Sequence, residues 1–221
     1  MSDPVESSPS APGERGSPAP GCCILAAIVG VFGGLVALYT VVGVYQHRAI
    51  GAFTQESPAA VEIATPSPAQ AEEAMAKLRL VGEAVAAGRA ERVLFTAGDL
   101  NALIASLDAA EGFRGNTRIE AVTAEGLVAA MAQPLRKGVF KKGFRYLNAD
   151  FVLQPELRAR TVAFKVVAIR PAVGEVPGPF VQSYTSLDLF RLDPELPALK
   201  ANVGNLAAVY TEEGQLVVET K

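Results

Sequence analysis

The side chains best suited to chemistry are few. The chain holds one histidine, His47, and two cysteines, adjacent at Cys22 and Cys23. A His/Cys zinc site needs about four ligands at set spacings, and this inventory does not supply them. A serine or cysteine nucleophile with an imidazole base would have to use His47. That residue follows an apolar run and precedes Arg48, so it reads most simply as an interfacial anchor. The carboxylates Asp99, Asp150 and Asp188 are spread over three predicted elements. Paired acid–base carboxylates must stand about 5–10 Å apart, and nothing marks these as more than a cap and surface groups. No glycine-rich phosphate loop follows a strand, and Gly30–Gly34 lies inside the apolar run. The expectation is a non-enzyme without metal or cofactor.

Two groupings remain. Arg136, Lys137, Lys141, Lys142 and Arg145 fall close together without an intervening acid, interleaved with Phe140, Phe144 and Tyr146. Such a hairpin tip could touch the surface of a membrane, each cation near anionic headgroups contributing about 1 kcal/mol. The simpler reading is a solvated loop with the aromatics packed beneath it. The second grouping is apolar. Residues 127–132 do not alternate, and residues 164–169 barely do. A strand apolar on both sides must be covered on both. One cover would be an apolar ligand in a slot lined by Met131, Phe151, Phe164 and Val166; the other is the chain's own helices.

These groups need elements to position them. Residues 16–46 carry no charge, and residues 22–45, CCILAAIVGVFGGLVALYTVVGVY, are almost wholly apolar. About 20 such residues cross ~30 Å of hydrocarbon as a helix. A cleaved signal peptide fits less well: the apolar core is too long, the preceding region is acidic, and no A-x-A site follows. The positive-inside count is nearly tied between Arg15 and Arg48; the simplest arrangement is a signal-anchor with the amino terminus cytoplasmic. Gly30 and Gly34 have the small-xxx-small spacing that allows a homodimer of helices. Residues 1–20 read as a disordered tail, 21–45 as a transmembrane helix, 46–66 as a linker, and 67–221 as an extracytoplasmic domain.

Within that domain, Ser67, Pro68 and Gln70 form a capping box opening a helix over 68–87. Residues 92–95 read as a short strand, and Thr96 with Asp99 caps a second helix through Leu107. The period then changes to two. Strands are expected at 117–123, 127–133, 145–153 and 158–169, with turns at Glu125-Gly126 and Pro155-Glu156. In the third, Leu147, Ala149, Phe151 and Leu153 should face in, and Tyr146, Asn148 and Asp150 out. A helix over 177–190 and a hairpin of 206–210 with 215–219 close the chain. Helices segregated against an antiparallel sheet make an α+β fold.

The order of a single span, LFTAGDLNALIASL, paired strands, RYLNADFVL and a Pro/Gly-rich VGEVPGPFVQSY resembles YpmS-like membrane-anchored extracytoplasmic domains of TULIP-like type. In these, a curved sheet wraps a helix and an aspartate-leucine-asparagine segment, here Asp99, Leu100 and Asn101, opens the helix after the first strand. The resemblance covers roughly residues 90–190 and implies binding of a lipid or other apolar molecule without catalysis. The composition agrees on location: 50% of the 221 residues are hydrophobic, with mean hydropathy +0.26. The net charge of −3 and pI near 5.3 argue against nucleic acid. The expected protein is thus a single-pass, non-catalytic protein of the cell envelope that binds membrane lipid or an apolar ligand. The alternative is a structural or assembly subunit that holds a partner protein at the membrane.

Overall fold

The computed structural model describes residues 19–61, 65–137, 142–158, 161–186 and 205–221. Residues 1–18, Lys141 and Asp188 lie outside them. The chain divides into two compact units, Met1–Tyr45 and Gln46–Lys221.

The first helix, α1, spans Ala19–Phe53. Its stretch Ile24–Phe53 contains an 18-residue window of mean hydropathy 2.3 and is long and apolar enough to cross a membrane. Ile28, Phe32, Leu35 and Leu38 are all more than half exposed. An apolar surface on every side of a helix suits hydrocarbon, not water. The helix does not stop at Tyr45; it continues through Phe53, into the segment expected to be a linker.

The second unit is α+β, as its patterning requires. Helix α2, Pro68–Ala87, opens on the expected capping box: Ser67 N–H donates to Gln70 Oε1 (3.0 Å) and Gln70 N–H to Ser67 Oγ (3.3 Å). It ends at Gly88, whose φ of +60° is the left-handed conformation that closes a helix. Strand β1, Arg92–Phe95, leads into α3, Ala97–Ser106, capped by Thr96 and Asp99. A short 3₁₀ helix, Asp108–Phe113, follows. Then come β2 (Thr117–Thr123), β3 (Gly126–Arg136), β4 (Phe144–Arg158), β5 (Thr161–Pro171), α4 (Gly178–Ser186), β6 (Leu206–Glu212) and β7 (Gln215–Thr220).

The strands form two antiparallel sheets, not one. Their orders are β1-β7-β6 and β2-β3-β4-β5. Pairing between β1 and β7 joins distant parts of the sequence, so hydropathy patterning could not reveal it. Across the larger sheet, Ala129 stands opposite Phe151 and Phe151 opposite Ile169. Their face joins Val81, Val85, Val93 and Leu216 in one apolar core.

Pro155 is also a correction. It was expected in a turn, yet β4 runs on to Arg158 with Pro155 buried opposite Phe164. The cause is local: β3 begins at Gly126, opposite Thr123 and beside Leu127, which pairs Leu153. Beyond that point β4 has only β5 as neighbour, and a strand without a second partner tolerates the missing N–H.

The expected Asp-Leu-Asn segment is a structural joint. Asn101 grips β2 as an adjacent strand would: its Nδ2 donates to the Ile119 carbonyl (2.7 Å), and Ile119 N–H donates to its Oδ1 (2.8 Å). Here β2 carries an extra residue, Glu120, out of register with β3. Asp99 caps α3 and accepts from Lys77 Nζ of α2 at 2.8 Å. Burial opposes ionisation of Asp99, but the Lys77 ammonium and the Thr96 N–H and hydroxyl together hold its carboxyl below the usual range.

Candidate functional site: where the long helix enters the folded domain

The densest polar cluster lies where the end of α1 and the residues after it meet the β3–β4 hairpin. Thr54 Oγ1 donates to the Ile50 carbonyl (2.6 Å), extending the helix by one bond. The chain then makes a single antiparallel bridge: Gln55 N–H donates to the Tyr146 carbonyl and Tyr146 N–H to the Gln55 carbonyl, both at 2.8 Å. Arg145 binds Thr54 twice, Nε to Oγ1 and Nη2 to the carbonyl, each at 2.7 Å. Its Nη1 and Lys137 Nζ (2.5 Å) both meet Glu56. Nearer Tyr45, His47 Nδ1 lies 3.0 Å from the Lys137 carbonyl, which it reaches as a donor in the Nδ1-protonated tautomer.

Asn148 completes the seam. Its Nδ2 donates to Gln55 Oε1 (2.6 Å) and the Ser57 carbonyl (3.2 Å), and Ala59 N–H donates to its Oδ1 (2.8 Å). This side chain was expected in solvent; it is 5% exposed. The cover on that part of the outer sheet face is therefore the chain's own segment 55–59. Asn148 pairs with Ala132, so segment 55–59 covers the outer face at this end of the doubly apolar stretch 127–132.

Beneath this seam, Phe53 enters the core. It is 3% exposed and meets the Phe180 ring edge-on at 5.0 Å. Phe180 packs on Tyr184 at 4.9 Å, and Tyr184 on Phe151 at 6.1 Å. Gly174 presses against the preceding turn: with φ +71°, an added Cβ would fall 2.3 Å from the Ala52 carbonyl oxygen.

The expected site residues divide accordingly. Of the basic cluster, Lys137 and Arg145 are held by Glu56 and Thr54, while Arg136 and Lys142 are exposed. Met131, Phe151 and Val166 are buried in the main core, with Phe164 packed against it. The two clefts described lie elsewhere. One of about 280 Å³ is lined by Gln70, Asn101 and Arg118, and one of about 390 Å³ lies along Lys77 and Leu80 of α2. Val81 and Val85 of α2 and Val93 of β1 are buried in the same core. Gly30 and Gly34 lie on α1 with open space around them. Among the described residues, no group of three or more His, Cys, Asp or Glu could hold a metal ion.

Burial pushes the Tyr184 phenol up to about 12. A group raised on folding stabilises below its unfolded pKa, ~10, and loses that contribution as pH rises through the folded value. Stability is expected to fall by on the order of 2 kcal/mol between pH 10 and 12 from this residue. Denaturant unfolding of wild type and Tyr184→Phe across that window checks it; the variant should lack this component.

No protein-family model, curated protein or solved structure matches the chain.

Proposed function

We propose that the chain is a single-pass membrane-anchored, non-catalytic envelope protein that holds a partner at the membrane surface. In this reading the amino-terminal side is cytoplasmic and the folded domain lies outside the cytoplasm. One observation carries it: the apolar helix continues without a break into the folded unit, where Phe53 is a core residue. A tether that only kept a domain near a bilayer would need no such joint. Phe53, Thr54 and Gln55 make the end of the helix part of the fold, so a bound partner is held at a set distance from Gln46.

The sheet edges supply the surface. Among the described residues β1, β2, β5 and β6 each have a single ladder neighbour; Asn101 grips β2 and Thr185 Oγ1 of α4 donates to the Val166 carbonyl of β5 at 2.6 Å, so this reading places the partner on β6. An open strand edge offers backbone donors and acceptors to a second chain. A second copy meeting this one at Gly30 and Gly34 is a partner this reading admits. An apolar ligand fits less directly: in the slot of Met131, Phe151, Phe164 and Val166 it would have to displace the aromatic rings of α4. The YpmS-like resemblance supports the membrane-anchored envelope placement, while the apolar ligand it implies belongs to the second reading; its Asp99, Leu100 and Asn101 lie in the first turns of α3 here.

Carbonate washing of native membranes should leave the protein in the pellet, and external protease should cleave the folded part in intact cells. Crosslinking there should yield adducts. Recovery of monomer alone would remove the partner, and release by carbonate would remove the anchor.

A further inference from the structure

We propose that the β3–β4 hairpin is a lipid-contacting foot, with Arg136 and Lys142 meeting the phosphates of anionic headgroups and Phe144 entering the interfacial layer. This rests on the membrane-anchor reading above.

Placement is the first support. The Lys137 carbonyl is bound at His47, two positions past Tyr45, where the uncharged run of α1 has just ended. The neighbouring rungs pair Arg136 with Phe144, and Lys137 N–H donates to the Gly143 carbonyl at 3.1 Å. These rungs are thus tied to the residues of the second unit that directly follow the uncharged run in sequence. His47 and the Arg145–Glu56–Lys137 seam hold the hairpin to this segment within the second unit.

The division of charge is the second. Glu56 occupies Lys137 and Arg145, while Arg136 and Lys142 remain exposed on the same hairpin. With Glu56 met by both Lys137 and Arg145, the exposed Arg136 and Lys142 leave an excess of positive charge on the described part of the hairpin. The third is Phe144. It is 52% exposed, whereas Leu147 and Phe151 further along the strand are fully buried. Water disfavours an open phenylalanine, but the interfacial layer accepts an aromatic ring flanked by cations. An acidic protein surface would satisfy the cations and leave the ring without hydrocarbon.

The chain contains no tryptophan, so Phe144→Trp introduces a unique fluorophore. The full-length variant is placed in vesicles of phosphatidylcholine with phosphatidylglycerol, with bromine on the acyl chains near the glycerol end. Its emission should shift to the blue and be quenched well beyond that of Leu80→Trp, on exposed α2. Adding Arg136→Glu and Lys142→Glu should remove about half of the quenching, as should omitting phosphatidylglycerol. If the protein floats with the vesicles but Phe144→Trp is quenched no more than Leu80→Trp, the foot is wrong and the anchor stands. Quenching indifferent to both charge reversal and lipid charge overturns the headgroup contacts, as an acidic protein partner would require. Failure to float overturns the anchor itself.

Discussion

Gly174→Ala should lower the stability of the full chain in detergent by roughly 3–5 kcal/mol. Two costs add. The φ of +71° is left-handed, and an alanine there costs about 1–2 kcal/mol. The new methyl would also lie 2.3 Å from the Ala52 carbonyl oxygen and 3.2 Å from its carbon. Both are backbone atoms in the last turn of α1, so no side chain can swing aside. Either the loop or the helix end must move, and Phe53 is the next residue. Gly115→Ala is the control: its φ is +81°, but nothing lies within 4 Å of the added carbon, so only the backbone cost should appear. Thermal unfolding followed by circular dichroism compares the two. Equal losses would show that Gly174 does not press on the helix.

Phe53→Ala should cost about 3–4 kcal/mol, the usual effect of emptying a buried aromatic site. Phe53→Leu should cost under about 1.5 kcal/mol, because it keeps most of the volume. The truncation has a second readout. Tyr184 is buried through its contact with Phe180, which in turn rests on Phe53. Water entering the vacated space should bring the Tyr184 pKa down from about 12 toward the ordinary tyrosine value. Ultraviolet titration of the phenolate measures this. A stable Phe53→Ala chain with an unchanged titration would place Phe53 outside the core.

What could be read from the residues was local. Ser67 with Gln70 and Thr96 with Asp99 announced two helix starts because capping boxes act over three positions. Alternation at Leu147, Ala149 and Phe151 announced the buried face of β4. What escaped depended on distant contact. Asn148 sits at an outward position of its strand, and only Gln55, Ser57 and Ala59, about 90 residues earlier, make it interior. Pro155 looked like a turn because a proline in a strand is tolerated only where a neighbour is missing, and strand length is a tertiary fact. The basic cluster was visible, but its division between Glu56 and solvent was not, since a charge pattern does not say which cations find partners. Phe53 and Gly174 carried no signal beyond one aromatic after a polar break and one glycine in a loop.

Strand β7 has a further consequence, for synthesis. It lies between β1 and β6, and Thr220 at its end accepts from the Glu91 N–H, 129 positions earlier. As the chain leaves the ribosome, β1 has no ladder partner until nearly all of the domain has emerged. Until then Val93 and Phe95 can pack only against earlier elements such as α2 and α3, and so widely separated a pairing forms slowly. A nascent chain arrested before Gln215 would leave both β1 and β6 unzipped at once, an open invitation to chaperones and to proteolytic quality control.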